Sequence, residues 1–271
     1  MPSIRSTDGT EIDYRTAGEG PTDLVLMHGW AGSGAYFDDT IEHLDRSRIR
    51  AITLDLRGHG KSGRSESGYT LDQITDDVMA VADAARARRF VLVGFSMSGK
   101  FAQYVSSAHP DRVLGQVLVA GCPAVAVPLP PELVADWYGR AGDARRMAEL
   151  MPPYMTQPVT PERLQRFGED AAGIPLVALR GTMDLATSTS FAERLADITA
   201  PTLVVGGRDD PMFTPDVLEA VAAPLGARLE FLECGHEVPL EQPARLAALI
   251  DAFVAELTAT AGRQPVSSPG A

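Results

Sequence analysis

A serine hydroxyl does acyl chemistry only when it is held clear of the backbone with a base in reach. The segment Gly94-Phe95-Ser96-Met97-Ser98 is suited to that task. An apolar run, 90–94, leads into it and a helix-like stretch follows from Gly99. A tight strand-to-helix corner of this kind crowds the chain around the serine, so small residues are needed two before and two after it. Gly94 and Ser98 meet that need. Ser96 is therefore expected to be a nucleophile. The helix that starts at Met97 should offer free amide N–H groups and the positive end of its dipole to an oxyanion.

A base is expected late in the chain, after the last strand, and His236 in Glu233-Cys234-Gly235-His236-Glu237 directly follows the run 229–232. The other histidines are weaker candidates. His28 and His59 lie in glycine-flanked loops, His43 falls on an expected helix, and His109 ends one before Pro110. These are expected to be structural or surface residues. A third group must orient the imidazole and stabilise its cation. Gly206-Gly207-Arg208-Asp209-Asp210-Pro211, after the preceding strand, offers two carboxylates for this, Asp209 and Asp210.

These residues must be carried by a sheet. The opening reads as a hairpin, with strands at 3–6 and 10–15 around Asp8-Gly9. Apolar runs at 23–27, 49–54, 90–94 and 113–120 then alternate with helix-spaced segments at 36–44, 71–87 and 97–108. Near-continuous apolar strands alternating with helices imply a mostly parallel sheet covered on both faces. The rhythm stops after Gly121, where 125–200 is proline-rich with short helical segments, and resumes at 201–206 with a further helix, strand and helix. The expected organisation is one core from 1–124 and 201–258, a helical cap inserted at 125–200, and a flexible C-terminal tail at 259–271. Trp137, Tyr138, Met151 and Tyr154 of the cap are expected to wall the substrate pocket, with Met147 and Met155 as further candidates.

Composition bounds the rest. The 271 residues are 45% hydrophobic and 22% charged, enough for a sizeable α/β core. A net charge of -12 disfavours nucleic acid and anionic membrane as partners. No apolar stretch reaches the roughly 20 residues of a membrane span, and the first residues lack the apolar centre of a secretory signal, so the chain reads as cytoplasmic. Cys122 and Cys234 are too few for a disulfide scaffold and are not spaced for zinc, so buried free thiols are expected. Monomer and homo-oligomer are both left open.

Taken together, the Ser96 corner, the Gly206–Pro211 loop and late His236 resemble the α/β-hydrolase family, in which nucleophile, acid and base follow in that order. The resemblance implies an eight-stranded, mostly parallel sheet flanked by helices with an inserted cap. It places the acid at Asp210, just before Pro211, and leaves Asp209 as a turn or capping residue. By the same resemblance His28-Gly29-Trp30 supplies the second oxyanion donor, so that the Trp30 N–H stands opposite the Met97 N–H. Asp55-Leu56-Arg57-Gly58-His59-Gly60-Lys61-Ser62 is similar to a structural loop of the family; a Walker loop would need glycine where Asp55 stands. Lys100 is expected to be a solvated or capping helix residue.

The stretch from Gly94 to Met97, with Tyr104-Val105-Ser106-Ser107 and Gly68-Tyr69, is similar to the cofactor-free haloperoxidase, perhydrolase and aryl esterase branch. It departs from that branch at Ser98, where glycine is usual. The implied activity is hydrolysis of a carboxylic ester or lactone of a small molecule through an acyl-enzyme, with neither cofactor nor metal. Haloalkane dehalogenases and epoxide hydrolases carry aspartate at the position of Ser96. Alternatives on the same triad are C–C bond hydrolysis of a vinylogous diketone or perhydrolase chemistry; a non-enzymatic alternative is a small-ligand receptor on a retired hydrolase fold.

Overall fold

The computed structural model describes residues 2–261. Eight strands form one sheet: β1 (Ser3–Arg5), β2 (Glu11–Ala17), β3 (Thr22–Met27), β4 (Ile49–Leu54), β5 (Phe90–Phe95), β6 (Val113–Val119), β7 (Thr202–Gly207) and β8 (Arg228–Leu232). Their order is β1-β2-β4-β3-β5-β6-β7-β8. The hairpin pairs antiparallel within itself and onto β4, and every other pairing is parallel. The fold is that of the α/β hydrolases, as expected.

The helices are α1 (Asp38–His43), α2 (Leu71–Ala84), α3 (Met97–Ala108), α4 (Pro131–Tyr138), α5 (Ala144–Ala148), α6 (Pro161–Ala172), α7 (Leu176–Ser188), α8 (Pro215–Ala222), α9 (Val238–Glu241) and α10 (Pro243–Ala261). The central strand β5 is buried along its whole length, because helices cover both faces of the sheet and leave no position for a polar alternation. The tail expected from 259 begins inside α10, which runs to Ala261; positions 262–271 lie outside the described residues. Among the described residues no helix is long and apolar enough to cross a membrane.

Residues between β6 and β7 hold α4 to α7, and their two ends run side by side: Val127 N–H donates to Thr187 O at 2.8 Å and Phe191 N–H to Ala124 O at 3.0 Å. Lys100 corrects the expectation of a solvated or capping residue. It is fully buried, and its Nζ donates to Val125 O at 3.0 Å and Thr189 O at 2.8 Å. The ammonium thus ties both ends of the segment to α3, because that segment covers the face of α3 a solvated lysine would have used. Burial lowers its pKa to about 8.

The loop after β4 is held from within by its own charges. Asp55 accepts from Gly34 N–H and Lys61 N–H, each at 2.7 Å, and a Cβ on Gly60 would meet Asp55 Oδ2 at 2.1 Å. The space a phosphate would need is filled by a carboxylate. Arg57 is buried between Asp77, reached through Nε and Nη2 at 2.7 Å each, and Asp8 at 2.8 Å. His28 and His59 are buried too, and Cys122 and Cys234 are free and buried. His28 accepts from Leu56 N–H at 3.0 Å through Nε2, bolting the β3 loop to the β4 loop.

Candidate active site

The chain leaves β5 and turns at once into α3, with Ser96 at the corner in a backbone conformation of φ 51 and ψ -118. An L-residue adopts this region at a cost, and here it lifts the side chain out of the sheet. The close approaches follow from the turn: a Cβ on Gly94 would meet Ser98 O at 2.2 Å, and one on Gly99 would meet Gly121 Cα at 2.4 Å. Glycine is thus required two before and three after the serine, while position 98 has room for a side chain. Ser98 uses that room to donate through Oγ to His28 O at 2.5 Å.

Ser96 Oγ lies 2.9 Å from His236 Nε2, and His236 Nδ1 lies 2.8 Å from Asp210 Oδ2. With Nδ1–H donating to the carboxylate, Nε2 is the free lone pair facing the hydroxyl. Asp210 is buried, and its Oδ1 accepts from Met212 N–H at 2.7 Å and Phe213 N–H at 3.0 Å. Asp209 is exposed, and the His236 imidazole is paired with Asp210 instead. Burial pulls the pKa of His236 down, but the hydrogen bond and charge of Asp210, helped by Glu237 and Glu241, outweigh it and hold the imidazole above its ordinary value.

The histidine loop is fixed from two sides. His236 N–H donates to Tyr154 O at 2.7 Å. The Glu241 carboxylate collects Gly235 N–H at 3.0 Å and Glu237 N–H at 3.0 Å, and on the far side Thr156 N–H at 2.7 Å and Gln157 N–H at 2.8 Å. One carboxylate therefore joins the His236 loop to the segment between α5 and α6. Sequence reasoning did not find Glu241, because an acid on a short helix looks like any solvated residue until its four donors are in place.

Trp30 and Met97 both line the cavity at Ser96, and among the described residues neither backbone N–H has an acceptor. The Trp30 indole donates to Leu179 O at 2.8 Å and its ring packs on Trp137 at 5.4 Å, so α4 and α7 steady the loop that carries this amide. Trp137, Met151 and Tyr154 line the same cavity. Tyr138 does not: neighbouring positions on α4 point about 100° apart, so with Trp137 turned inward Tyr138 lies beside Trp30 at 6.4 Å and under Arg180 at 5.4 Å. Met147 and Met155 also stand outside the lining: Met147 is in the core, and Met155 packs half-buried against it.

Glu237 was missed as a cavity residue although it follows His236 directly, and Tyr36 was missed with it. Both line the cavity, and the Tyr36 hydroxyl donates to Glu237 Oε2. Burial raises the Glu237 carboxyl to about 7, and burial together with that carboxylate raises the Tyr36 phenol well above its usual range.

Comparison with known proteins agrees with this architecture. Residues 24–249 match the profile described as the alpha/beta hydrolase family. The chain is 32% identical over 255 residues to a non-heme chloroperoxidase of Streptomyces lividans, covering 84% of this chain and 88% of that one. It is 30% identical over 267 residues to a pimeloyl-[acyl-carrier protein] methyl ester esterase of Nitrosomonas europaea, covering 89% of this chain and 99% of that one. An esterase structure from Exiguobacterium antarcticum superposes with a TM-score of 0.84 at 22% identity, covering 93% of this chain and 98% of that one. The sheet order, the strained corner at its centre and the length of the match lead to one conclusion: the chain belongs to the alpha/beta hydrolase family.

Proposed function

We propose that the protein is a serine hydrolase of carboxylic esters or lactones, with Ser96 as nucleophile, His236 as general base and Asp210 as the group that orients it. The observation that carries this reading is the unbroken relay from Ser96 Oγ through His236 to Asp210, at 2.9 and 2.8 Å, opening on a mainly apolar cavity. Ser96 Oγ attacks the acyl carbon as its proton passes to His236 Nε2. The tetrahedral oxyanion is met by the Trp30 and Met97 N–H groups, each such donor lowering the barrier by roughly 3 kcal/mol. Collapse expels the alcohol, which takes the proton from His236, and water activated by the same imidazole releases the acid.

In this reading residues 125–200 are the cap, and Trp137, Met151 and Tyr154 shape the acyl or alcohol pocket beneath it. Labelling with a fluorophosphonate and mapping of the modified peptide tests the assignment. Ser96 should be the modified residue, and Ser96→Ala should abolish both labelling and ester hydrolysis; retention of normal hydrolysis by that variant would refute it. The similarity to a non-heme chloroperoxidase supports a second reading on the same acyl-enzyme, with hydrogen peroxide replacing water to give a peracid. Peracid formation from an ester and peroxide, lost in Ser96→Ala, would establish it.

A further inference from the structure

The relay leaves a carboxyl of the cavity wall unused. Glu237 is only 5% exposed, yet it lines the cavity with Ser96 and His236. Its Oε2 accepts from Tyr36, and among the described residues no donor reaches Oε1. Tyr36 is itself held in place, stacked on Phe95 at 5.2 Å and edge-on to Phe167 at 6.3 Å. Other polar side chains of the wall are engaged: the Thr187 hydroxyl donates to Met183 O at 2.8 Å and the Trp30 indole to Leu179 O. With Oε2 taken by Tyr36, Oε1 is left to a donor that enters the cavity, and a hydrogen bond to a charged acceptor is stronger than one between neutral groups. The carboxyl thus shares the cavity wall with His236 and Ser96, where a bound ester must lie.

We propose that Glu237, oriented by Tyr36, selects substrates that carry an O–H or N–H donor near the scissile bond and turns away those that carry a carboxylate. The inference rests on Ser96 being the nucleophile, and it adds the chemical class of the substrate. A donor placed on Oε1 completes the hydrogen bonding of the carboxyl. A second carboxylate there would face like charge in surroundings of low dielectric.

Four esters of similar size test this: methyl butyrate, methyl β-hydroxybutyrate, methyl β-aminobutyrate and monomethyl succinate. Hydrolysis is followed in a pH-stat at mildly alkaline pH, and each ester is also ranked by how well it protects the serine from a fluorophosphonate, which reads selectivity even where turnover is slow. In the wild type at least one donor-bearing ester should exceed methyl butyrate by about tenfold or more, as a hydrogen bond to a charged acceptor commands, and monomethyl succinate should rank last. Glu237→Leu should bring the ratios to near one. Glu237→Gln, which keeps an acceptor oxygen and loses the charge, should retain preference for the hydroxyl ester and lose it for the ammonium ester, which separates the two donors. Tyr36→Phe should reduce the ratio by freeing the carboxyl to turn. Equal ranking of plain and donor-bearing esters by the wild type would overturn the proposal, as would an unchanged ratio in Glu237→Leu and Glu237→Gln. A fluorophosphonate on another residue would instead remove the nucleophile assignment, a failure visible before any ratio is taken.

Discussion

Ser98 Oγ donates to His28 O at 2.5 Å, and this bond joins the helix that follows Ser96 to the loop that carries the Trp30 amide. The two proposed oxyanion donors, Trp30 and Met97, therefore sit on segments latched together next door to the site. Ser98→Ala should lower stability by about 1 kcal/mol, the usual worth of such a bond, and reduce kcat more than it changes KM. Ser98→Gly should cost about a further 1 kcal/mol through helix propensity. Denaturant midpoints and ester kinetics on the two variants check this; a KM effect without a kcat effect would show that the latch does not position the amide.

The adjacent carboxylates give a sharp contrast. Asp210→Asn should drop kcat by about four orders of magnitude, as expected when the orienting acid no longer fixes the imidazole tautomer. Asp209→Asn should leave kcat within about twofold, since its side chain is exposed and the Ser96 relay does not include it. Matched kinetics on the two single variants decide which carboxylate serves.

A base works only when unprotonated, and Asp210, Glu237 and Glu241 together hold the His236 pKa above the ordinary 6.5 despite its burial. Activity should accordingly rise with pH through a midpoint above 6.5. Removing the Glu237 charge in Glu237→Gln takes away one anion that favours the imidazolium, so the midpoint should move to lower pH. Profiles of kcat/KM against pH for the two proteins test the sign.

Arg57 and Asp77 form a fully buried pair that shares no hydrogen bond with Ser96, His236 or Asp210. Arg57→Leu strands the Asp77 charge and should cost about 3–5 kcal/mol, and the double variant Arg57→Leu with Asp77→Leu should recover a large part of that loss. Fluorophosphonate labelling below the unfolding transition should persist in both, because the network holds the β4 loop and not the nucleophile. Urea unfolding of the two proteins measures the recovery.

Lys100 makes stability depend on alkaline pH. Its folded pKa is depressed to about 8 from 10.5, so between those values the unfolded chain binds the proton and the folded chain does not. Stability contributed by this group must then rise with pH across that window. The difference in unfolding midpoint between wild type and Lys100→Met should change in that direction from pH 8 to pH 10.5, with other titrating groups cancelling in the comparison.

Much of this was legible in the chain because its causes are local or periodic. Apolar runs long enough for buried parallel strands, a serine between small residues at a strand end, and a histidine after the last strand are read from neighbours in sequence. The limits of α3 were met at both ends for the same reason. Lys100 was misread because its surroundings are supplied by Val125 and Thr189, which the alternation of strands and helices does not place. Tyr138 was misread because a composition of aromatic residues says nothing of which one a short helix turns inward.

The residues and their order determined by themselves a mostly parallel sheet of the α/β-hydrolase kind, with Ser96, Asp210 and His236 just beyond the ends of β5, β7 and β8, since burial and turn sterics act over a few positions. Only the tertiary structure decided that Asp210 and not Asp209 meets His236, that Ser98 latches to a residue 70 positions earlier, and that Glu237 takes the hydroxyl of Tyr36 from 201 positions away. Those contacts depend on how the loops at the strand ends are folded together. Hydrogen bonds act through space at about 3 Å, and no local spacing in the chain specifies which distant donor will arrive there.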